Sequence, residues 1–343
     1  MKEVKLPESS DIAIKHARIL KGPQQIAFDL TYQCNFRCLH CYNLSGENYA
    51  IKSELTNGEV LKFIKEVSEL KPLNFCFCGG EPLLRERILC EAAIALSESD
   101  VKVSLVTNGS LITKERARKL KESGVDRAQV SLDGARAETH NRLRQYKNAF
   151  ELAVNAIRYF VEEGYEDIST AFIPTAFNYS EIEELFLLCR NLGVHMVRVQ
   201  PLMILGRTNI NFEEIAPTPL QYRELVKTIY ELREKYGPHI MWGDPVDHII
   251  RFRTVAQHCV NFVTVHANGD IVVSPYLRLT VGNIRKHSLK EYWQAGLAWV
   301  WEHEIIKTYA GEINSVAEFN KSRVWFEKNI ELDIIDDNLF KKE

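Results

Sequence analysis

Between Gln25 and Val199 the sequence alternates between short apolar runs and amphipathic segments of helical spacing. The runs Gln25 to Tyr32, Asn74 to Cys78, Lys102 to Val106, Arg127 to Leu132, Ile168 to Ile173 and Met196 to Val199 read as strands. Thr56 and Glu59 form a capping box before a helix carrying Val60, Phe63, Ile64, Val67 and Leu70 on one face. Further helices are predicted over Arg87 to Leu96, Lys114 to Lys121 with Gly124 as the stop, and Lys147 to Val161, and one more is expected to be capped by Ser180 with Glu183. Strands separated by helices call for a parallel sheet curved into a partial or complete barrel. The expected class is α/β, a partial (β/α)6 TIM-like barrel with a small α+β C-terminal extension. In such a barrel, ligands bind where the strands end.

The pattern changes after Pro201. A helix from Pro219 to Lys235, a short helix through Ile249 and Phe252, a hairpin of Asn261 to His266 with Asp270 to Val273 turned by Asn268-Gly269, and a helix ending near Trp301 are expected. The chain is thus divided into an N-terminal segment (1–22), a barrel (23–215) and an extension (216–343). With 43 basic and 46 acidic residues, the net charge of -3 gives no global field to draw nucleic acid or an anionic membrane. No run approaches the roughly eighteen apolar residues that span a bilayer, and Met1 to Lys5 lacks the apolar core of a signal peptide. The eight cysteines do not read as a disulfide framework, which fits a reducing, cytoplasmic setting.

Three of them, Cys34, Cys38 and Cys41, lie in one loop where the first strand stops. Their spacing wraps the backbone round one inorganic centre. A closed zinc site needs a fourth ligand, which His40 could supply, whereas three thiolates on a 4Fe-4S cluster leave one iron open. Gly79-Gly80-Glu81-Pro82, Thr107-Asn108-Gly109 and Ser131-Leu132-Asp133-Gly134 follow the next three strands. Taken alone, each is a strand-ending turn. Together they put a polar rim beside the cysteine loop, with glycines that allow close backbone approach and the Glu81 carboxylate as an acceptor for an ammonium group. Cys76, Cys78, Cys90 and Cys189 read as core residues.

The cysteine spacing, within Cys34-Asn35-Phe36-Arg37-Cys38-Leu39-His40-Cys41-Tyr42, resembles the signature of the radical S-adenosylmethionine (radical SAM) family, in the form found in its peptide- and cofactor-maturing branch. The resemblance implies that the three cysteines hold one 4Fe-4S cluster, that S-adenosyl-L-methionine chelates the open iron, and that reduction releases a 5'-deoxyadenosyl radical which abstracts a substrate hydrogen. By the same resemblance Gly79, Gly80 and Glu81 hold the amino end of S-adenosylmethionine. Ser131 contacts the methionine or ribose portion, Asn108 also binds the cofactor, Arg144 binds the carboxylate, and His40 occupies the position whose backbone reads adenine. An electron donor such as a flavodoxin or ferredoxin is implied, and a peptide is the implied substrate.

The extension resembles the SPASM or twitch segment of these maturases, which carries auxiliary clusters. Cys259 matches its first ligand, but Ser274-Pro275-Tyr276 stands where a cysteine is usual and no later cysteine follows. The expectation is therefore a substrate platform and a single cluster, with Cys259 as a candidate hydrogen donor. A radical enzyme acting on a small metabolite and a noncatalytic metal-binding scaffold are the alternatives.

Overall fold

Strands form where the apolar runs predict them: β1 (Gln25–Thr31), β2 (Asn74–Gly79), β3 (Lys102–Thr107), β4 (Val125–Ser131), β5 (Asp167–Phe172) and β6 (Met196–Val199). The computed structural model describes residues 20–46, 53–243, 261–272, 274, 279–305, 308 and 330–340. Cys259 and the short helix expected through Ile249 and Phe252 lie outside them. The chain divides into two units, one of Phe28–Glu54 and Cys76–Asp244, the other of Met1–Ala27, Leu55–Phe75 and Pro245–Glu343.

In the first of these units the strands run in sequence order, and β3 through β6 pair in parallel. A further parallel strand, β7 (Ile240–Trp242), lies against β6. This is the α/β architecture of a partial TIM-like barrel. Phe28, Phe77, Val103, Leu105, Val130, Phe172 and Val199 are fully buried on one face of the sheet, as period-2 alternation requires.

Cys76 and Cys78 do share a face, but it is the opposite one. They are half-buried between the fully buried Phe75 and Phe77, so the expectation of core packing fails for this pair. The phenyl rings take the apolar side and leave the polar side to the thiols. Cys90 and Cys189 are buried in their helices as expected.

The strands are joined by α2 (Glu86–Ser97), α3 (Lys114–Glu122), α4 (Ala137–Arg144), α5 (Ala149–Glu162) and α6 (Ile182–Asn191). Ser180 does not cap α6. It lies in a 3-10 turn, Tyr179–Glu181, and no side chain caps the helix. Glu181 is held elsewhere, accepting from Ala135 N at 2.8 Å and Thr139 Oγ1 at 2.5 Å. Two later helices complete the unit, α7 (Arg207–Ile215) and α8 (Pro219–Tyr236), the latter opened by a Thr218–Gln221 capping box.

The second unit contains α1 (Asn57–Leu70) with the expected Thr56–Glu59 capping box and all five predicted apolar residues buried. Its hairpin pairs β8 (Phe262–Val265) with β9 (Asp270–Val272), and β10 (Leu279–Asn283) pairs with β9 and with β11 (Ile330–Glu331). Helix α9 (Leu289–Ala295) buries Tyr292 and Trp293. Arg285 pairs with Glu59 at 2.6 Å. Ser274 is fully buried after the hairpin. Among the described residues, no helix is long and apolar enough to cross a membrane.

Candidate active site

The cysteine loop starts where β1 runs out of apolar residues. Cys34, Cys38 and Cys41 are free thiols, and all pack in one cluster with Phe36 and Ala149. The loop turns on itself through Cys41 N to Cys38 O at 3.2 Å and through Phe36 N, which donates to Cys34 Sγ at 3.5 Å. The Phe36 ring stacks on Tyr146 with centroids 4.4 Å apart. Loop carbonyls are held from outside: Arg207 Nε donates to Cys38 O at 2.8 Å, Arg207 Nη2 to Ser45 O at 3.1 Å and Asn211 Nδ2 to Leu39 O at 2.9 Å.

Helix α7 thus clamps the loop from its first turn. Gly206, which precedes it, has φ +58° and lies so close to the Cys41 and Tyr42 carbonyls that a Cβ would collide with both. The sequence reading assigned Arg207 no role. Its signal was the Gly206-Arg207 pair, a glycine suited to close backbone contact next to a cation with five donors.

Gly79 and Gly80 also serve the loop. Gly80 N donates to Thr31 O at 2.7 Å and Glu81 N to Gln33 O at 2.8 Å. A Cβ on Gly79 would lie 2.5 Å from Thr31 O, and one on Gly80 would sit on the Gln33 carbonyl oxygen. The space these glycines leave is therefore filled by the backbone that enters the cysteine loop. Gly80→Ala should displace that backbone, at a cost of about 1–3 kcal/mol or more for an overpacked contact. A melting temperature and iron content equal to wild type after reconstitution would refute this account.

The Glu81 carboxylate is fully buried and accepts from Leu83 N at 3.2 Å, Thr107 Oγ1 at 2.9 Å and Asn108 N at 2.9 Å. It ties the ends of β2 and β3 together. Burial pushes its carboxyl up to about 7 against the pull of those donors. Asn108 extends the network, donating to Asn35 Oδ1 at 2.9 Å and lying 3.9 Å from Cys34 Sγ.

Across the rim, Arg144 Nη2 pairs with the fully buried Asp133 at 2.5 Å, and Arg144 Nη1 lies 3.8 Å from Cys38 Sγ as a donor. Burial works against the Asp133 anion, but the Arg144 charge outweighs it and holds the carboxyl below its usual value. Asp133 is also fixed by Ile173 N at 2.8 Å, while its own N–H donates to His140 Nδ1 at 2.9 Å. His40 Nε2 is 3.6 Å from Asp133. Burial pushes the His40 imidazole down to about 4, so it is neutral near pH 7. Ser131 ends β4 with Ala171 as its Cα partner.

Cys34, Cys38, Cys41, His40, Asn108 and Arg144 are thereby brought together by these contacts, with Gly79, Gly80 and Glu81 supporting the loop. The residues fit an iron-sulfur cluster. Three reduced thiols share one patch, and N–H donors from Phe36, Asn108 and Arg144 point at two of the sulfurs, as an anionic cluster requires. Burial pushes the Cys38 thiol up to about 12, so iron binding must supply the drive to deprotonate it. Arg144 Nε is buried without a hydrogen-bond partner, leaving one donor on the guanidinium for a bound anion.

The profile described as the Radical SAM superfamily matches residues 29–189. The chain is 30% identical over 295 residues to an AdoMet-dependent heme synthase of Methanosarcina barkeri (strain Fusaro / DSM 804), covering 80% of this chain and 82% of that protein. It is 30% identical over 232 residues to the mycofactocin maturase MftC of Mycolicibacterium smegmatis (strain ATCC 700084 / mc(2)155), covering 68% of this chain but 57% of that protein. Among solved structures, Streptococcus suis SuiB bound to S-adenosylmethionine superposes with a TM-score of 0.66 at 16% identity, over 92% of this chain and 78% of that one. The chain belongs to the radical SAM superfamily, enzymes that work with a 4Fe-4S cluster and S-adenosylmethionine.

Proposed function

We propose that this enzyme abstracts a hydrogen atom from a ribosomally made peptide. The observation that carries the radical chemistry is the gathering of three free thiols beneath N–H donors at the ends of parallel strands. When bound, the cluster supplies the electron that splits S-adenosylmethionine into methionine and the abstracting radical. Cys34, Cys38 and Cys41 hold the irons. Arg144, braced by Asp133, orients the carboxylate of S-adenosylmethionine, and its unpartnered Nε supports that role. Gly79, Gly80 and Glu81 serve the amino end through the backbone they fix, while Asn108, Ser131 and the His40 backbone complete the pocket.

Residues 216–343 act as the substrate platform, Cys259 is a candidate hydrogen donor, and a flavodoxin or ferredoxin supplies electrons. Similarity to a PqqA peptide cyclase, 26% identical over 297 residues, supports the peptide substrate. A second reading, a small carboxylated metabolite, is favoured by the similarity to a heme synthase over 82% of that protein.

The test is anaerobic reconstitution with iron, sulfide and a chemical reductant. Release of 5'-deoxyadenosine is the expected result, and none from iron-loaded protein would end the proposal. Mass spectrometry of a peptide encoded beside the gene then separates the two substrates. A mass change in that peptide supports the first reading, and a change seen only with a tetrapyrrole moves the assignment to the second.

A further inference from the structure

Arg144 ends α4 with its side chain buried, and its three guanidinium nitrogens are engaged in three different ways. Nη1 donates to Cys38 Sγ at 3.8 Å, Nη2 pairs with Asp133 Oδ2 at 2.5 Å, and Nε has no hydrogen-bond partner. Phe36 N and Asn108 Nδ2 donate to Cys34 Sγ, and both are neutral. Cys41 Sγ receives no hydrogen bond among the described residues. Arg144 is therefore the one charged donor to a sulfur of this loop among them. Arg207, the other cation at Cys38, meets its carbonyl instead.

Asp133 is held in place independently of Arg144. Its Oδ1 accepts from Ile173 N at 2.8 Å and its carbonyl from Asn178 Nδ2 at 2.8 Å. It makes no hydrogen bond to Cys38, so the cation is the nearer charge to the sulfur and the anion stands behind it. Arginine cannot release its proton. Asp133, Arg144 and Cys38 are at most 8% exposed, so water and salt screen these charges weakly. Adding an electron to a centre on Cys38 adds negative charge beside them, and net charge and hydrogen bonds to the sulfurs are what set the potential of such a centre. A lone guanidinium would make the centre easy to reduce but a poor reductant, and a lone carboxylate would do the reverse.

We infer that Arg144 and Asp133 together set the reduction potential of the centre, Arg144 raising it through the Cys38 sulfur and Asp133 limiting that rise. This rests on the reading that Cys34, Cys38 and Cys41 hold a 4Fe-4S cluster. It gives Arg144 a task separate from the carboxylate of S-adenosylmethionine. Asp133 acts only through Arg144, as a positioning residue and counter-charge.

The test is a potentiometric titration of the cluster-loaded protein without S-adenosylmethionine, followed by the electron paramagnetic resonance signal of the reduced cluster. At the wild-type midpoint, Arg144→Gln should lower the ratio of reduced to oxidised cluster about tenfold, a shift of about 59 mV for a one-electron couple. That is the scale of one hydrogen bond from a charged group. Asp133→Asn should raise the ratio by a similar factor, and Arg144→Lys, which keeps the charge, should stay above Arg144→Gln. The Arg144→Gln, Asp133→Asn double variant leaves no charge unpaired, so it carries the test where a single variant loses its iron. It should lie about threefold below wild type, because the charge nearer the sulfur dominates. A purely structural role would move both single variants the same way. A ratio that falls in Asp133→Asn, or that fails to fall in Arg144→Gln or in the double variant, would overturn the inference. A wild type that shows no reduced-cluster signal would instead defeat the radical reading itself.

Discussion

Replacing Cys34, Cys38 and Cys41 together by Ala is expected to remove all iron from the reconstituted protein and all release of 5'-deoxyadenosine. The three thiols share one patch, and the N–H donors of Phe36, Asn108 and Arg144 serve that patch. Wild type should hold about four irons per chain, the content of one 4Fe-4S centre. Auxiliary centres need several converging ligands, and beyond Cys189 the sequence contains only Cys259. Cys90 and Cys189 are buried in helices, so neither can join it without breaking the fold, and Cys76 and Cys78 are two thiols on one strand, too few to hold a centre. Iron near twice that amount, or a cluster spectrum surviving in the triple variant, would show a second centre.

Arg207→Ala should have the next largest effect, although Arg207 is far in sequence from the three cysteines. It is buried at 8% exposure and donates to the carbonyls of Cys38 and Ser45. Hydrogen bonds from a charged group contribute about 1.5–3 kcal/mol each, so losing this pair should cost roughly 3–6 kcal/mol. The expected result is a lower melting temperature together with weak retention of iron on gel filtration. Arg207→Lys, which keeps one charged donor, should fall between. Wild-type melting and iron retention in the Ala variant would show that α7 does not hold the loop.

These two variants also mark what could be read from the sequence. Strands β1 to β6 and the Thr56–Glu59 helix start were legible because apolar period and capping are local. The three cysteines were legible because their spacing lies within one loop. Arg207 was not, since it meets Cys38 across 169 residues. Helix α4 passed unseen because Arg144 was read only as a carboxylate-binding residue and the stretch Ala137–Arg144 has too few apolar positions to show a helical period. The Ser180 cap failed because Glu181 is drawn instead to Ala135 and Thr139, a contact no local rule encodes. Gly79 and Gly80 were read as making room for a ligand, and their room is taken by Thr31 and Gln33. The inner side of the sheet was misjudged at Cys76 and Cys78 because alternation tells which residues share a side but not which side is apolar.

The clamp of α7 on the cysteine loop also sets an order of events during synthesis. The carbonyl of Cys38 gains its Arg207 donor only after 169 more residues have been made. At translation speeds of about 5–20 residues per second, that interval is roughly 8–34 seconds. Through it the three thiols are carried on a nascent chain whose loop lacks its outer support, although the first strand is already complete. Iron delivered in that window would meet thiols with no fixed spacing. Cluster insertion therefore belongs after α7 has docked, and a ribosome-bound chain truncated before residue 207 should fail to hold a cluster that the finished chain retains.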